Sequence, residues 1–181
     1  MSYPTKPAFI HVGTWDDRTR AHPVMKWMEN YTVEIVDKKV WNDKPSDDYL
    51  TSDHKLNKST GEVVSGGDAS FSAMRDEIYA PLAQHFHDPQ YLVAWDDGDE
   101  HEMIGVASLF YNLAIPGDGN KIKDRNGKSW DGVIPAAFHF RYVKDDEHGY
   151  KLSRTAIYND PTAAVVGMLK RGMMKPEDLM K

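Results

Sequence analysis

The apolar positions of this chain change period part-way along it. Val24, Trp27, Met28, Tyr31 and Ile35 recur at i, i+3, i+4, i+7 and i+11. That spacing is one face of an amphipathic helix over 23–38, with Pro23 suited to its first turn. A second helical run follows Gly66-Gly67-Asp68, with Asp68 or Ser70 as N-cap and Phe71, Met74, Ile78 and Leu82 on its apolar face. It is expected over 69–86, kinked or divided at Pro81. From residue 91 onward the period is two, as in strands. Strands are expected over 91–95 and 101–113, joined by the acidic turn Asp96-Asp97-Gly98-Asp99. Two more, over 134–144 and 150–158, flank Asp145-Asp146-Glu147-His148-Gly149, a glycine-containing hairpin turn.

The late hairpin has no simply wet face. Alternation puts Ile134, Ala136, Phe138, Phe140 and Tyr142 on one side of its first strand, and Ala137, His139, Arg141 and Val143 on the other. Such a sheet suits a wall between packed protein and a pocket of mixed polarity. Smaller elements complete the order: a helical turn over 47–50, a hairpin of 53–58 and 62–65 across Ser59-Thr60-Gly61, and a closing helix over 161–173. Residues 1–20 read as an arm, 21–174 as a single domain and 175–181 as a tail. The polar stretch 116–132 reads as a flexible flap in which Ile122 and Trp130 close on a ligand. Long helices followed by aromatic-rich strands imply an α+β fold, with helices packed on one side of a curved antiparallel sheet.

Composition narrows the function. A chain of 181 residues supports one real core, and 40% hydrophobic with 28% charged residues is ordinary for a globular protein. A net charge of −6 argues against nucleic acid or an anionic membrane surface as partner. No apolar run approaches the ~20 residues of a membrane span, and the N-terminus lacks signal-peptide character, so a cytoplasmic location is expected. With no cysteine there is no thiolate metal site and no thiol nucleophile. There is no P-loop, no G-x-G-x-x-G opening a helix and no G-x-S-x-G elbow. The loop from Asp118 to Ser129 fails as a calcium loop, because Lys123 and Ser129 stand where a glycine and a glutamate are needed.

The amphipathic first helix, the step GEVVSGGDASFSAM into the next long helix, and GYKLSRTAIYNDP near the end resemble the nuclear transport factor 2-like superfamily. Within it, the SnoaL-like polyketide cyclases and the fungal scytalone dehydratase-like proteins are the most similar groups, over about residues 23–172. The resemblance implies a cone-shaped domain whose helices pack on the concave side of the sheet around a deep apolar pocket. It also implies cofactor-independent isomerisation, cyclisation or dehydration of a small, oxygenated, polyketide- or terpenoid-like molecule. Non-catalytic ligand-binding or assembly modules of the same fold are the alternative.

Such chemistry needs one group to remove a proton and another to stabilise an enolate oxygen. His139 lies beside Ala137 and Arg141 on a strand where scytalone dehydratase-like proteins turn a polar residue to the substrate; an outward-facing position is the competing reading. In AQHFHDP, the run QHF resembles the segment that carries a catalytic histidine in that group, and either His85 or His87 matches it. The competing reading is a solvated helix end. The same HxH is half of a cupin-like metal set, but no glutamate follows at a suitable spacing, so neither metal nor cofactor is expected. Asp37, in VDKKVW, resembles an acidic position of the dehydratases. Asn57 stands where a steroid-isomerase-like comparison has its aspartate base; it cannot take the proton, and His54 could replace it only if a bulge intervenes, because strand alternation puts the two on opposite faces. Tyr31, Tyr111 and Arg141 complete the candidate substrate-binding set. Because the hairpin is apolar on both faces and only one can line a pocket, a homodimer through the other is expected.

Overall fold

Alternation in the late strands sorts the sheet into two faces, and the computed structural model shows which is which. It describes residues 6–98, 100–119 and 121–180. Residues 1–5 of the expected arm, Asp99 of the acidic turn, Asn120 of the expected flap and Lys181 of the tail lie outside the described residues. The strands are β1 (Ala8–Val12), β2 (Leu50–Asn57), β3 (Val63–Ser65), β4 (Leu82–Asp97), β5 (Glu100–Leu113), β6 (Ile122–Lys123), β7 (Ser129–Trp130), β8 (Gly132–Asp145) and β9 (Gly149–Asn159). Seven of them form one sheet in the order β1-β4-β5-β8-β9-β2-β3, while β6 and β7 pair separately. Neighbours in the large sheet are antiparallel except β2 and β9, which are parallel.

The helices are α1 (Asp17–Ala21), α2 (Pro23–Asn30), α3 (Gly67–Ala73) and α4 (Thr162–Lys170). Val24, Met25 and Met28 of α2 are buried with Phe71 of α3 against Phe138, Phe140 and Tyr142 of β8 in one core. This is the α+β architecture of a curved sheet carrying its helices on the inner face.

Two helices end in π-helical turns. The first, Tyr31–Val36, contains Thr32, Val33, Ile35 and Val36, whose branched side chains crowd an α-helix. There the Asp37 amide donates five residues back, to the Thr32 carbonyl at 2.8 Å. The second, Met74–Ile78, ends with the Tyr79 amide donating to the Met74 carbonyl at 3.0 Å. Such turns widen the helix and re-aim the residues beyond it, and they recur at functional sites.

Three expectations change. The segment 1–20 is not simply an arm: from Ala8 it supplies an edge strand in register with β4 and then a helix capped by Asp16. Both elements are five residues long, too short to show a period. The helix after Gly66 stops at Ile78, and β4 starts at Leu82, so His85 and His87 lie on a strand rather than at a solvated helix end. The chain cannot continue helically into Pro81, which restricts the residue before it. Finally, 116–132 is no flap over a ligand. Trp130 is 1% exposed, packs on Phe86 and Phe110, and donates its indole N–H to Asp124 at 2.9 Å. Arg125 ties the same loop to Asp88 of β4. The loop is pinned to the outer side of the sheet.

Candidate active site

The inner face encloses one markedly apolar cavity. Its sheet walls come from β4 (His87, Leu92), β5 (Met103, Gly105, Ala107), β8 (Phe138, Phe140) and β9 (Thr155, Ile157), and its other wall from Met28, Tyr31, Val36 and Tyr79. The space between them, mouth included, is about 640 Å³. Small residues hold it open: a Cβ added at Gly105 would stand 3.3 Å from the Leu92 side chain. A bulge between Pro89 and Tyr91 shifts the parity of β4. His85, His87 and Pro89 therefore face inward before it, and Leu92 and Ala94 after it. Pro89 at the bulge needs no ladder donor.

Asp37 and His87 meet across this wall. His87 Nδ1 is 2.7 Å from Asp37 Oδ1, and the His87 amide donates to Asp37 Oδ2 at 3.2 Å. The carboxylate thereby fixes both ring and strand. Tyr79 Oη lies 3.2 Å from His87 Nε2, on the other side of the ring. In the matching tautomer, Nδ1–H donates to Asp37 and Nε2 accepts from Tyr79. The turn carrying Asp37 is anchored by Lys39, which adopts a left-handed φ of 56° and donates its ammonium to the carbonyls of Tyr79 and Leu82. Burial, and then the charge of Asp37, push the Tyr79 hydroxyl well above the usual tyrosine range. His85 sits behind the pair, stacked on Tyr79 at 4.4 Å, with Nε2 3.7 Å from Asp37 Oδ1. Burial, reinforced by His87 and Lys39, lowers its pKa to about 3, so it is neutral.

Two more polar groups reach the cavity. Tyr31 lines it, and its buried hydroxyl has no hydrogen-bond partner among the described residues. Burial and neighbouring Tyr49 raise that hydroxyl's pKa as well. Thr155 lines the far wall, and its hydroxyl is 3.0 Å from Nε2 of His54, which is wholly buried behind it. Burial lowers the His54 pKa to about 4.

The remaining expected residues are elsewhere. His139 does not face the cavity. Phe138 and Phe140 do, so alternation turns His139 and Arg141 outward, where both contact Glu102. Asn57, on the outer face of β2, accepts from Arg154 at 3.2 Å. Tyr111 is buried in the inner layer but is not among the cavity walls. Tyr79 and Thr155 were missed. Reading Pro81 as a full stop would have placed Tyr79 beside the HFH strand.

No protein-family model and no curated protein matches the chain. Solved structures do. A hexachlorocyclohexane dehydrochlorinase from Novosphingobium barchaimii superposes with a TM-score of 0.57 at 15% identity, covering 80% of this chain and 91% of that one. The Kfla4162 protein from Kribbella flavida gives 0.61 at 17%, covering 84% and 99%. A nuclear transport factor 2-like superfamily protein from Salmonella enterica gives 0.54 at 8%, covering 78% and 92%. At these identities the likeness is one of fold: the chain has the nuclear transport factor 2-like fold. No described helix is long and apolar enough to cross a membrane.

Proposed function

We propose that this protein is an acid–base isomerase, cyclase or dehydratase acting on a small apolar molecule that carries a carbonyl or hydroxyl group. One observation carries the reading: an Asp37–His87–Tyr79 chain of hydrogen bonds at the wall of an otherwise apolar cavity. Asp37 holds His87 in the tautomer whose Nε2 can take a proton, and stabilises the imidazolium that forms. Tyr79 then yields its place on Nε2 to the C–H of a bound substrate. The Tyr31 hydroxyl, lacking a protein partner, donates to the oxygen on which charge develops, and the Thr155 hydroxyl, backed by His54, orients a second polar group. The aromatic and methionine walls exclude water and bind the carbon skeleton. That a dehydrochlorinase, named for the loss of hydrogen and chlorine, shares the fold supports a proton-removing reaction without naming this chain's substrate.

The test needs no knowledge of the product. Incubated in D₂O with a panel of small apolar ketones, the protein should catalyse deuterium exchange α to the carbonyl of at least one. His87→Ala should abolish that exchange. Exchange that persists in His87→Ala, or none with any ketone, contradicts the reading.

We also propose a homodimer through the outer sheet face. Ile10, Val93, Ile104, His139, Ala156, Asn57 and Val63 succeed one another across the strands in register. Ile10, Ile104 and Val63 in this row, with Val12, Tyr91 and Tyr158 nearby, are exposed. A second copy offers the same exposed apolar side chains in return, as a two-fold interface requires.

A further inference from the structure

His85 has no task in the proton transfer assigned to His87. Its side chain is wholly buried, and neither ring nitrogen makes a well-formed hydrogen bond among the described residues, although the Val36 backbone interacts with the ring. Leaving a buried polar group unpaired is unfavourable, because it has given up its bonds to water. Nothing in the base reading offsets that cost. Yet His85 sits in a constellation: one donor atom each of Asp37, His85 and His87 lies within 4.8 Å of the other two. From Asp37 Oδ1, the His87 Nδ1 is 2.7 Å away and the His85 Nε2 3.7 Å. These separations bracket the ~3.3 Å between neighbouring ligands of a tetrahedral ion with bonds of ~2.0–2.1 Å.

We propose that Asp37, His85 and His87 form a buried binding site for a borderline first-row divalent cation of the zinc class. Two imidazoles and one carboxylate are a donor set that such ions accept while keeping a coordination position open. Of the three residues, His87 lines the cavity. The outer hydrogen bonds are in place. With Nδ1 on the cation, the His87 proton moves to Nε2 and is donated to Tyr79 Oη, 3.2 Å away. The other Asp37 oxygen keeps the His87 amide at 3.2 Å. Partners of this kind fix the tautomer and orientation of ligating groups. The free and loaded states thus differ by one imidazole proton, moved from Nδ1 to Nε2. The cation takes the place of the proton between Asp37 and His87, and the displaced proton fills Nε2, the acceptor in the base reading, so loading silences the base; that consequence, unlike the binding, rests on the acid–base reading of the site. The positive charge of Lys39 reaches His85, which makes the affinity moderate. Calcium and magnesium, which prefer oxygen ligands, should be rejected.

The experiment is a titration of chelator-stripped protein with Co²⁺, followed by visible absorption, with Zn²⁺ competition and a Ca²⁺ control. The wild type should take up one equivalent of Co²⁺ with the intense bands of a low-coordinate site, and Zn²⁺ should displace it. His85→Phe, which keeps the stack on Tyr79, and His85→Ala should each bind at least ~10-fold more weakly, a loss typical of removed metal-site partners. Circular dichroism then shows that both variants are folded. Absent uptake, uptake indifferent to His85, or equal uptake of Ca²⁺ overturns the site. Because the readout is absorption, failure of the deuterium-exchange test leaves this result standing. Where exchange is found, full exchange by the Zn²⁺-loaded protein overturns the silencing.

Discussion

Two of the histidine–carboxylate pairs at the sheet, one on each face, are built for different ends. On the inner face, His87 meets Asp37 beside a cavity, and the ion pairs of Asp37 run only to His87 and His85 among the described residues. On the outer face, His139 meets Glu102, but Arg141 contacts the same carboxylate at 3.0 Å. A guanidinium is permanently charged and satisfies Glu102 whether or not His139 is protonated. Burial would raise the Glu102 pKa, yet the bonds from His139 and Arg141 hold it below the usual glutamate value. His139 stacks on Trp95 and does not line the apolar cavity, whereas the other ring nitrogen of His87 is turned to Tyr79 at the cavity wall. Residue types do not distinguish these pairs. What does is the third partner of the carboxylate, and whether the imidazole has room for a substrate.

The sharpest way to break the comparison is to delete each imidazole in turn. His87→Ala should lower turnover by ~10²–10⁴-fold, the usual worth of a general base. His139→Ala should leave turnover within about twofold, since a group outside the pocket adds nothing to transition-state binding. Equal losses in steady-state assays would erase the distinction between the faces. Next in size is the cavity itself. Ala107→Leu, filling the inner wall, should weaken ligand binding by ~10-fold or more while the melting temperature holds or rises, as cavity filling stabilises. Calorimetry with any ligand found checks this, and unchanged affinity would place the ligand elsewhere.

The fold and the site were legible in the sequence wherever one period runs long. The α2 stripe, the late hairpin and its two faces were readable because eight or more residues repeat one pattern. Asp37 and the HFH pair were nameable, but their meeting was not: fifty residues separate Asp37 from His87, and two π turns, invisible in periodicity, set the approach. His139 misled because alternation states that two faces exist without stating which one the helices cover. Tyr79 was hidden inside a helix drawn too long.

On the outer face, Ile104→Lys at the centre of the exposed row should convert the proposed dimer to a monomer in light scattering, with turnover retained. A dimer that survives would move the interface elsewhere. Smallest is a pH effect on the inner face. His54 has its pKa lowered to about 4 from the ordinary 6.5, so the folded protein binds fewer protons there than the unfolded chain. Its contribution is complete above pH 6.5 and declines as pH falls toward 4, by roughly 3 kcal/mol at most. His54→Leu should therefore flatten the fall in melting temperature across that window; parallel curves would deny that His54 is buried neutral.

The central claim is that the inner pair, and not the outer one, meets the ligand. Imidazole resonances of ¹⁵N-histidine-labelled protein, followed while a small phenol that mimics an enolate is titrated in, test it without a known substrate. The account predicts that the His87 nitrogens shift strongly with saturation while those of His139 stay in place. Shifts confined to His139, or saturable binding that leaves His87 unmoved, would contradict it.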